Sequence, residues 1–471
     1  MSKKAEKIFI EALICVGGAF LLLLYMFISG LPLVAGMVLL VVFAYVRIIE
    51  HQKTKKTNIL HLAFLFLIGL AMIIFVQRYA KTSPYYIPLP AIAMLVVILF
   101  SSVELSLLLS LCLSLCAGFI FQADLYLASI VFLGSMIASF FVYRIRQRYK
   151  IMQAGVVASL VMAVALLTIS YRKDVGILSF LSPHVLPVCI NGILSAFLVS
   201  GALPLFEFLF RMVSNISLLE LSDFNHPLLK RLVLEAPGTY HHSLLVGNLT
   251  EMAAEAINAN ALLARVGSYY HDIGKLEKPE YFSENQDQAF SRHQQLKASM
   301  SKLVIINHVK HGLLLAKKYK LNAAVADFIE QHHGTSLVFY FYRRALEESK
   351  EKDDIKEEVF RYNGPKPQTK ETAIVLLADS VEAACRALED PNAQRIDEVV
   401  RTVINNKFID GQLDDCDLTL KDLDRIAKTF VRILSAIYHS RVEYPDIANE
   451  STNKESTKKA QNKLSPHKEN S

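Results

Sequence analysis

The chain has 471 residues, of which 53% are hydrophobic, and its mean hydropathy is positive at +0.33. An ordinary soluble domain is about 45–50% apolar, so this composition excludes a purely soluble protein. The six cysteines form no CxxC pair, which excludes a disulfide framework and a zinc ribbon. The net charge of +6 lies largely in loops between apolar runs and in the tail, so membrane topology explains it and no DNA or RNA polymer is expected as a partner.

Apolar runs dominate the first part of the chain. A transmembrane helix needs about 20 apolar residues, because hydrocarbon offers no partner to exposed backbone polar groups. Eight runs are expected to cross the membrane, and a division into seven stays open. They are 8–28, 31–49, 58–77, 86–101, 103–121, 124–143, 152–171 and 185–210. The first is interpreted as a retained helix, because no cleavage site for a signal peptide is evident.

Lysine and arginine in the short loops predict the orientation of these helices. The strongest basic clusters are "MSKKAEK" at the start, "RIIEHQKTKKT" at 47–57 and "YRIRQRYK" at 143–150. Eight helices place all three clusters in the cytoplasm and return the chain to the cytoplasm near Arg211. The sequence therefore predicts a multi-pass protein in contact with membrane lipid, with its second half in the cytoplasm.

The second half changes to amphipathic helical patterns. Apolar residues recur at helical spacing, and no run alternates as a half-buried strand does. The segments with this spacing are 243–257, 301–319, 322–333, 372–388, 396–408 and 420–441. The predicted fold class is all-α, with a polytopic membrane domain (1–213) of seven to eight helices and a cytoplasmic domain (214–447). A polar tail (448–471) is expected to be disordered.

Histidine and aspartate side chains accumulate in this helical half. More than half of the 14 histidines lie between His241 and His333, most of them on or beside helices with an apolar face. One such histidine is usually a hydrogen-bonded core residue, but several together with two aspartates favour a metal site. A carboxylate can bridge two ions, and these ligands suit Fe or Mn. Two such ions can activate water and clamp a phosphoryl group.

The motif "HDIGK" at 271–275 resembles the HDIG subgroup of the HD phosphohydrolases, in which Gly274 is expected to permit a close turn. Longer segments such as "LLARVGSYYHDIGKLEKPEYFSENQ" and "IEQHHGTSLVFYFY" narrow the match. They are similar to the seven-transmembrane HD family of bacterial cyclic-di-AMP phosphodiesterases, and the similarity covers residues 86–447. The resemblance implies a catalytic HD domain on the cytoplasmic side of the inner (plasma) membrane of a bacterium.

The resemblance also implies roles for individual residues in binding two divalent ions, Mn or Fe. One ion would be held by His242, His271, Asp272 and Asp379. The other ion would be held by Asp272, His308, His332 and His333. Asp272 would bridge the ions and act with His271 as the catalytic pair. Hydroxide bound to both metals would attack one phosphodiester of cyclic-di-AMP in line, which gives linear pApA.

Three side chains are candidates for contact with the cyclic dinucleotide. Lys275 could offset phosphate charge, although an exposed surface lysine is an equally good interpretation. Arg386 follows Asp379 by seven residues, about two helical turns, and could form a fork onto a phosphate in the same cleft. His293 is retained in "SRHQQLKASMS" (291–301), where the family usually has an Asn-Pro-His-Asp-type loop. The proline and the aspartate are missing, so the contacts of this loop stay open.

The chain departs from the family in its membrane half, where only "ISGLP" separates the first two apolar runs. A large extracellular domain usually lies there. Two alternative functions stay open. One is HD hydrolysis of another nucleotide such as cyclic-di-GMP, although this chain lacks the Gly-Tyr-Pro tripeptide usual for that activity. The other is a receptor that binds a nucleotide without turnover, which would be expected if a ligand were missing. The sequence does not decide whether the chain forms a homodimer.

Overall fold

The computed structural model describes residues 59–439 except 81, 123, 173–182, 287–291, 350–354 and 390. The first two predicted membrane runs, the "ISGLP" connection and the predicted tail lie outside these residues. The described part contains no β-strand, and an isolated antiparallel bridge joins Leu337 to Arg361. The predicted all-α class is confirmed for this part of the chain.

Six helices of the described part follow the last six of the eight predicted runs. They are α1 (Ile59–Phe75), α2 (Leu89–Phe100), α3 (Val103–Ile120), α4 (Leu125–Phe141), α5 (Tyr149–Arg172) and α6 (Val185–Phe210). Four segments are long and apolar enough to cross a membrane, namely Leu60–Ala80, Val103–Ile120, Tyr149–Ile169 and Val185–Phe210. The apolar helices Pro84–Phe100 and Leu125–Phe141 are shorter. The predicted total of eight helices stays a prediction, since two runs lie outside the described residues.

The membrane helices pack around one apolar core. α5 packs along α6, and α4 packs against α3 and α5. Asn191 is buried in this core, and its Nδ2 donates to the carbonyl oxygens of Tyr85 at 2.7 Å and Ile87 at 2.8 Å. Because hydrocarbon cannot hydrogen-bond, these contacts satisfy both the asparagine and the irregular backbone that precedes α2.

Ten helices follow α6 within the described residues. They are α7 (Asn215–Leu221), α8 (Pro227–Glu235), α9 (Pro237–Ala256), α10 (Ala261–Tyr270), α11 (Ala298–Lys318), α12 (Ala323–Gln331), α13 (Phe339–Glu348), α14 (Lys370–Arg386), α15 (Ala393–Ile409) and α16 (Leu420–His439). Six of them coincide with the segments predicted from apolar periodicity. The sequence analysis missed α7, α8, α10 and α13, which have only 7, 9, 10 and 10 residues. Short helices repeat an apolar pattern only a few times, which makes them hard to recognise, and of the helices of ten residues or fewer in the described part only α12, with 9 residues, was predicted.

Side-chain caps mark the start of several helices of the second half, among them α10, α12 and α14. Asn260 at α10 and Asn322 at α12 each accept a hydrogen bond from a backbone N–H of the first turn. Thr369 and Thr372 form a reciprocal capping box at the start of α14. These contacts satisfy N–H groups that have no partner within the helix.

α10 lies between two apolar clusters of the second half. Its Ala264 packs in a cluster with α9, α14, α15 and α16. Its Val266 and Tyr270 pack in another cluster with α7, α8, α11 and α12. The helix ends at Tyr270. His271 and Asp272 therefore emerge at the junction of the two clusters.

Candidate metal centre

Seven histidine and aspartate side chains converge at this junction. They are His242 on α9, His271 and Asp272 after α10, His308 on α11, His332 and His333 after α12, and Asp379 on α14. The donor atoms of His242, His271, Asp272 and Asp379, here called group A, lie within 4.8 Å of one another. So do those of Asp272, His308, His332 and His333, here called group B. The structure thus brings together both ligand sets that the resemblance implies.

Asp272 lies between the two groups. Its Oδ2 is 3.2 Å from Nε2 of His271 and 3.7 Å from Nε2 of His242, both in group A. Its Oδ1 is 3.3 Å from Nε2 of His308 and 3.6 Å from Nε2 of His332, both in group B. One oxygen of the carboxylate therefore faces each group.

Asp379 and His333 form the more open side of the site. Asp379 Oδ1 lies 3.0 Å from Nε2 of His242, and its Oδ2 lies 3.6 Å from Nδ1 of His333. The side chains of Asp379 and His333 are 12% and 21% exposed. The other five are exposed by 3% or less. A molecule from solvent would reach the cluster from this side.

Backbone carbonyl groups orient three of the histidines. Nδ1 of His271, His308 and His332 donates to a carbonyl oxygen of the preceding helical turn, at 2.6 Å, 2.6 Å and 3.0 Å. Because a carbonyl oxygen only accepts, each Nδ1 carries the hydrogen, and in the neutral ring Nε2 then presents a lone pair to the cluster.

A carboxylate orients His242 instead. Its Nδ1 donates to Oε2 of Glu382 at 2.7 Å, and Glu382 is buried on α14. Nη1 of Arg386 lies 3.5 Å from the other oxygen of Glu382, Oε1. The sequence analysis did not identify Glu382. The signal that could have found it is its spacing of three residues after Asp379, which puts both on one helix face.

Lys275 lies inside the site. Its Nζ is 2.7 Å from Oδ2 of Asp272 and 2.6 Å from Oε1 of Glu284, and its side chain is 13% exposed. The interpretation as an exposed surface lysine is therefore wrong, because the ammonium is matched by two buried carboxylates. Burial alone would lower the pKa of Lys275, but the charges of Asp272 and Glu284 outweigh burial and raise it. Lys275 is a cation here.

The protonation states of Asp272, His308 and His333 suit metal ligation. Burial opposes the charged form of Asp272, but Lys275 and His271 outweigh it and hold the pKa of the carboxyl well below its ordinary value. Burial lowers the pKa of His308 to about 3. Burial also holds the pKa of His333 well below its ordinary value. Asp272 is therefore an anion, while His308 and His333 are neutral, as metal ligands must be.

His242 is the exception among the histidines. Burial lowers its pKa, but hydrogen bonds with Asp379 and Glu382 outweigh burial and raise the pKa to about 10. An ion that binds at Nε2 competes with this proton. Metal binding at group A would therefore release a proton from His242.

Two buried polar atoms show that the cluster fits metal ions. Among the described residues, Nε2 of His271 and Oδ1 of Asp272 are buried without a hydrogen-bond partner. Each buried polar atom without a partner lowers the stability of a folded protein by about 1–3 kcal/mol. Both are ligand-type atoms aimed into the cluster, one toward each group. The two groups could therefore each hold an ion.

Tyr362 also belongs to the site and was not identified from the sequence. Its ring stacks on that of His333, with 4.2 Å between centroids and 27° between planes. Tyr362 lies in the connection between α13 and α14, at no regular spacing from a ligand. No sequence signal could have found it.

His293 lies outside both groups. Its Nε2 donates to the carbonyl oxygen of Tyr281 at 2.7 Å, and its ring lies 4.9 Å from the ring of Phe341. The structure therefore ties His293 to the packing around the start of α11. Contact with a substrate stays a prediction for this residue.

Gly274 lies in a tight turn, as expected, because the N–H of Lys275 donates to the carbonyl oxygen of Asp272 at 3.0 Å, and it is also required for packing. It lies in the 3₁₀ segment Ile273–Glu277, which rests against α11. A Cβ atom at Gly274 would overlap with the carbonyl oxygen of His308. Glycine thus allows the backbone after Asp272 to approach the helix that carries His308.

Comparisons with known proteins agree with this architecture. The sequence family described as 7TM receptor with intracellular HD hydrolase matches residues 13–214. The HD domain family matches residues 239–384. The cyclic-di-AMP phosphodiesterase PgpH of Bacillus subtilis is 39% identical over 431 residues, which are 89% of this chain and 60% of that protein. The PgpH of Listeria monocytogenes is 41% identical over 301 residues, which are 64% of this chain and 42% of that protein.

A solved structure is also similar. The crystal structure of the L. monocytogenes PgpH HD domain in complex with cyclic-di-AMP covers 46% of this chain and 100% of that chain, with 45% identity and a TM-score of 0.45. This chain spans less than two thirds of the length of the full PgpH relatives. The chain is a homologue of the PgpH cyclic-di-AMP phosphodiesterases, with a membrane region of the 7TM type joined to an HD hydrolase domain.

Proposed function

We propose that this chain is a membrane-anchored, metal-dependent phosphodiesterase that hydrolyses cyclic-di-AMP to linear pApA. The observation that carries the proposal is Asp272, whose two oxygens face two groups of metal-ligand side chains. The names of the two PgpH relatives support the substrate. The match to the HD domain over residues 239–384 supports hydrolysis.

Two divalent transition ions, Mn or Fe, are the proposed cofactors. Group A and group B offer imidazole nitrogens and carboxylate oxygens and no cysteine, a set that suits such ions. Asp272 would be the ligand common to both. When bound, the ions supply a nucleophile from water at neutral pH and neutralise charge that develops on the phosphoryl group.

The side chains around the proposed ions orient the ligands and exclude water. His271 and Asp272, the proposed catalytic residues, are buried, so bulk water does not compete for their donor atoms. Lys275 binds Oδ2 of Asp272 and thereby restrains the carboxylate between the two groups. The phosphodiester would approach beside Asp379 and His333, where the cluster is most exposed.

The proposed substrate contacts are Lys275, Arg386 and His293. Arg386 has 43% of its side chain exposed, so its guanidinium can reach a phosphate while it stays near Glu382. Lys275 and His293 already bind protein groups, so substrate contact there would be shared with those bonds. Replacing Arg386 with Gln is therefore expected to raise KM more than it lowers kcat.

The HD domain is proposed to lie on the cytoplasmic face of a bacterial inner membrane, with a membrane domain at 1–213, an HD domain at 214–447 and a tail at 448–471. Basic residues support this orientation, since "YRIRQRYK" precedes and opens α5 and Arg211 follows α6. Exposed apolar side chains of these helices, including Leu160 and Phe197, support contact with lipid.

Turnover of two cyclic dinucleotides tests the proposal. The full chain, reconstituted in lipid and loaded with Mn²⁺, would be incubated with cyclic-di-AMP or cyclic-di-GMP, and the products separated by chromatography. We expect pApA from cyclic-di-AMP and slower cleavage of cyclic-di-GMP. Faster cleavage of cyclic-di-GMP than of cyclic-di-AMP would contradict the proposed substrate. Binding of both without cleavage would support the receptor alternative.

A further inference from the structure

One histidine of the proposed metal centre differs from its neighbours in what holds its ring. His271, His308 and His332 each donate Nδ1–H to a neutral backbone carbonyl. His242 donates Nδ1–H to the carboxylate of Glu382 at 2.7 Å. A hydrogen bond to an ionised acceptor is roughly twice as strong as one between neutral groups. His242 is therefore oriented by the strongest of these four contacts.

Glu382 is built into the site and has no other role in the fold that its contacts show. Its side chain is 4% exposed, and one oxygen contacts His242 while the other lies 3.5 Å from Arg386. A buried carboxylate is stable only when paired. His242 and Arg386 are the partners that the described residues supply. Arg386 follows Glu382 by one helical turn on α14.

The carboxylate of Glu382 adds to a difference in the number of acidic side chains between group A and group B. Group A contains Asp272 and Asp379 and has Glu382 behind it, whereas group B contains Asp272 alone as an acid. A carboxylate behind a histidine fixes its tautomer, aims Nε2 at the ion and makes the ring a more basic ligand.

We infer that Glu382 is a positioning residue that acts through His242 to make group A the tighter of the two metal sites. Arg386 holds the second oxygen of Glu382 and keeps the carboxylate directed at the ring. The inference rests on the proposed two-metal centre. It assigns no contact with substrate to Glu382.

Metal binding by the full chain tests this inference without measuring turnover. The reconstituted protein would be stripped with EDTA and titrated with Mn²⁺, and free Mn²⁺ would be followed by its paramagnetic resonance signal. The wild type should fill a tight site and then a weaker one. Glu382→Gln keeps the size of the side chain and removes its charge, and Glu382→Leu removes the acceptor. Each should weaken the tight site by about 10–100-fold and leave the weaker site unchanged.

A double variant separates positioning from a general loss of structure. In a His242→Ala background, Glu382→Gln should cause no further loss of affinity, because the carboxylate acts only through that ring. Glu398→Gln on the exposed face of α15 is the matched control and should bind Mn²⁺ as the wild type does.

Three results would contradict the inference, and they differ in what they overturn. If the wild type fills two sites and Glu382→Gln fills both with unchanged affinities, the positioning role is wrong while the metal centre stands. If the wild type binds no Mn²⁺ after reconstitution, the proposed metal centre itself is wrong. Additive losses in the double variant would show that Glu382 does not act through His242.

Discussion

The carboxylate of Asp272 meets imidazoles from two sides, with Oδ2 near His271 and Oδ1 near His308. Its position after α10 places it at the junction of two apolar clusters. Charge from Lys275 keeps it ionised. If both groups bind metal, this one residue is common to both ions.

Replacing Asp272 with Ala should therefore remove both ions. Loss of a partner behind a ligand already costs about 10–100-fold in metal affinity, so loss of a ligand common to two ions should exceed 100-fold. Hydrolysis should fall at least as far, while the helical signal in circular dichroism stays. Asp424→Ala, at an exposed position of α16, is the control and should retain activity. An active Asp272→Ala variant would contradict the bridging assignment.

Lys275 and Glu284 form a buried pair whose disruption can be measured. Lys275→Met would leave Glu284 without its cation, and breaking a buried pair from one side typically costs about 3–5 kcal/mol. We expect a lower Tm for Lys275→Met in the EDTA-treated full chain. The double variant Lys275→Met with Glu284→Gln should recover part of the loss. Equal Tm values for the wild type and Lys275→Met would show that the pair does not contribute to stability.

The sequence predicts the seven ligand-type residues, but it does not predict the side chains that contact residues of the site. His271 and Asp272 were identifiable because the motif "HDIGK" is contiguous and resembles a known family. Glu284 pairs with Lys275 across a loop, and Tyr362 stacks on His333 from a separate connection. Such contacts depend on the tertiary path of the chain, so no local pattern predicts them.

The 3₁₀ segment Ile273–Glu277 packs against α11 so closely that only glycine fits at its second position. Gly274→Ala should push the segment away from α11, because the new methyl group meets the backbone of His308. Overpacking of this kind typically costs about 1–3 kcal/mol. It should also separate Asp272 from His308 and weaken metal binding at group B. Thermal unfolding and Mn²⁺ titration measure the two effects.

Gly201→Ala is the matched control for this change. Gly201 lies in α6, and a Cβ atom there would meet nothing within 4 Å. Alanine is the better helix former, so the substitution should leave stability unchanged or raise it slightly. If Gly274→Ala and Gly201→Ala behave alike, close packing of the HD segment is not required.

The long helices were predictable because their apolar patterns repeat over several turns, as in α11 with 21 residues and α14 with 17. α10 has 10 residues and was missed, although it positions the HD pair. Its start depends on one capping side chain, Asn260, and its path depends on contacts with both apolar clusters. Tertiary packing therefore determines the element that matters most to the site.

Contacts connect the end of the last membrane helix to both groups of ligands. Nδ2 of Asn322, the residue that caps α12, donates to the carbonyl oxygen of Met212 at 2.9 Å. The hydroxyl of Tyr270, next to His271, donates to the carbonyl oxygen of Leu221 at 2.7 Å. The helices that end at the HD pair and at His332 are thus both held against the segment that follows α6.

Removal of metal should therefore lower the thermal stability of the whole HD domain. A ligand at 100 times its Kd stabilises the folded state by about 2.7 kcal/mol, which corresponds to a Tm shift of about 5–10 °C for a domain of this size. The reconstituted full chain should show this decrease on treatment with EDTA and recover with Mn²⁺. The Asp272→Ala variant should show no such shift. A shift of equal size in that variant would place the stabilising ion elsewhere.

The metal content of the purified full chain tests the central claim most directly. Elemental analysis of the full chain, purified without chelator, should give about two transition-metal ions per chain, one for each group of ligands. The same analysis of Asp272→Ala should give less than one. A wild-type ratio near zero, or a ratio near two that persists in Asp272→Ala, would contradict a two-metal centre bridged by this carboxylate.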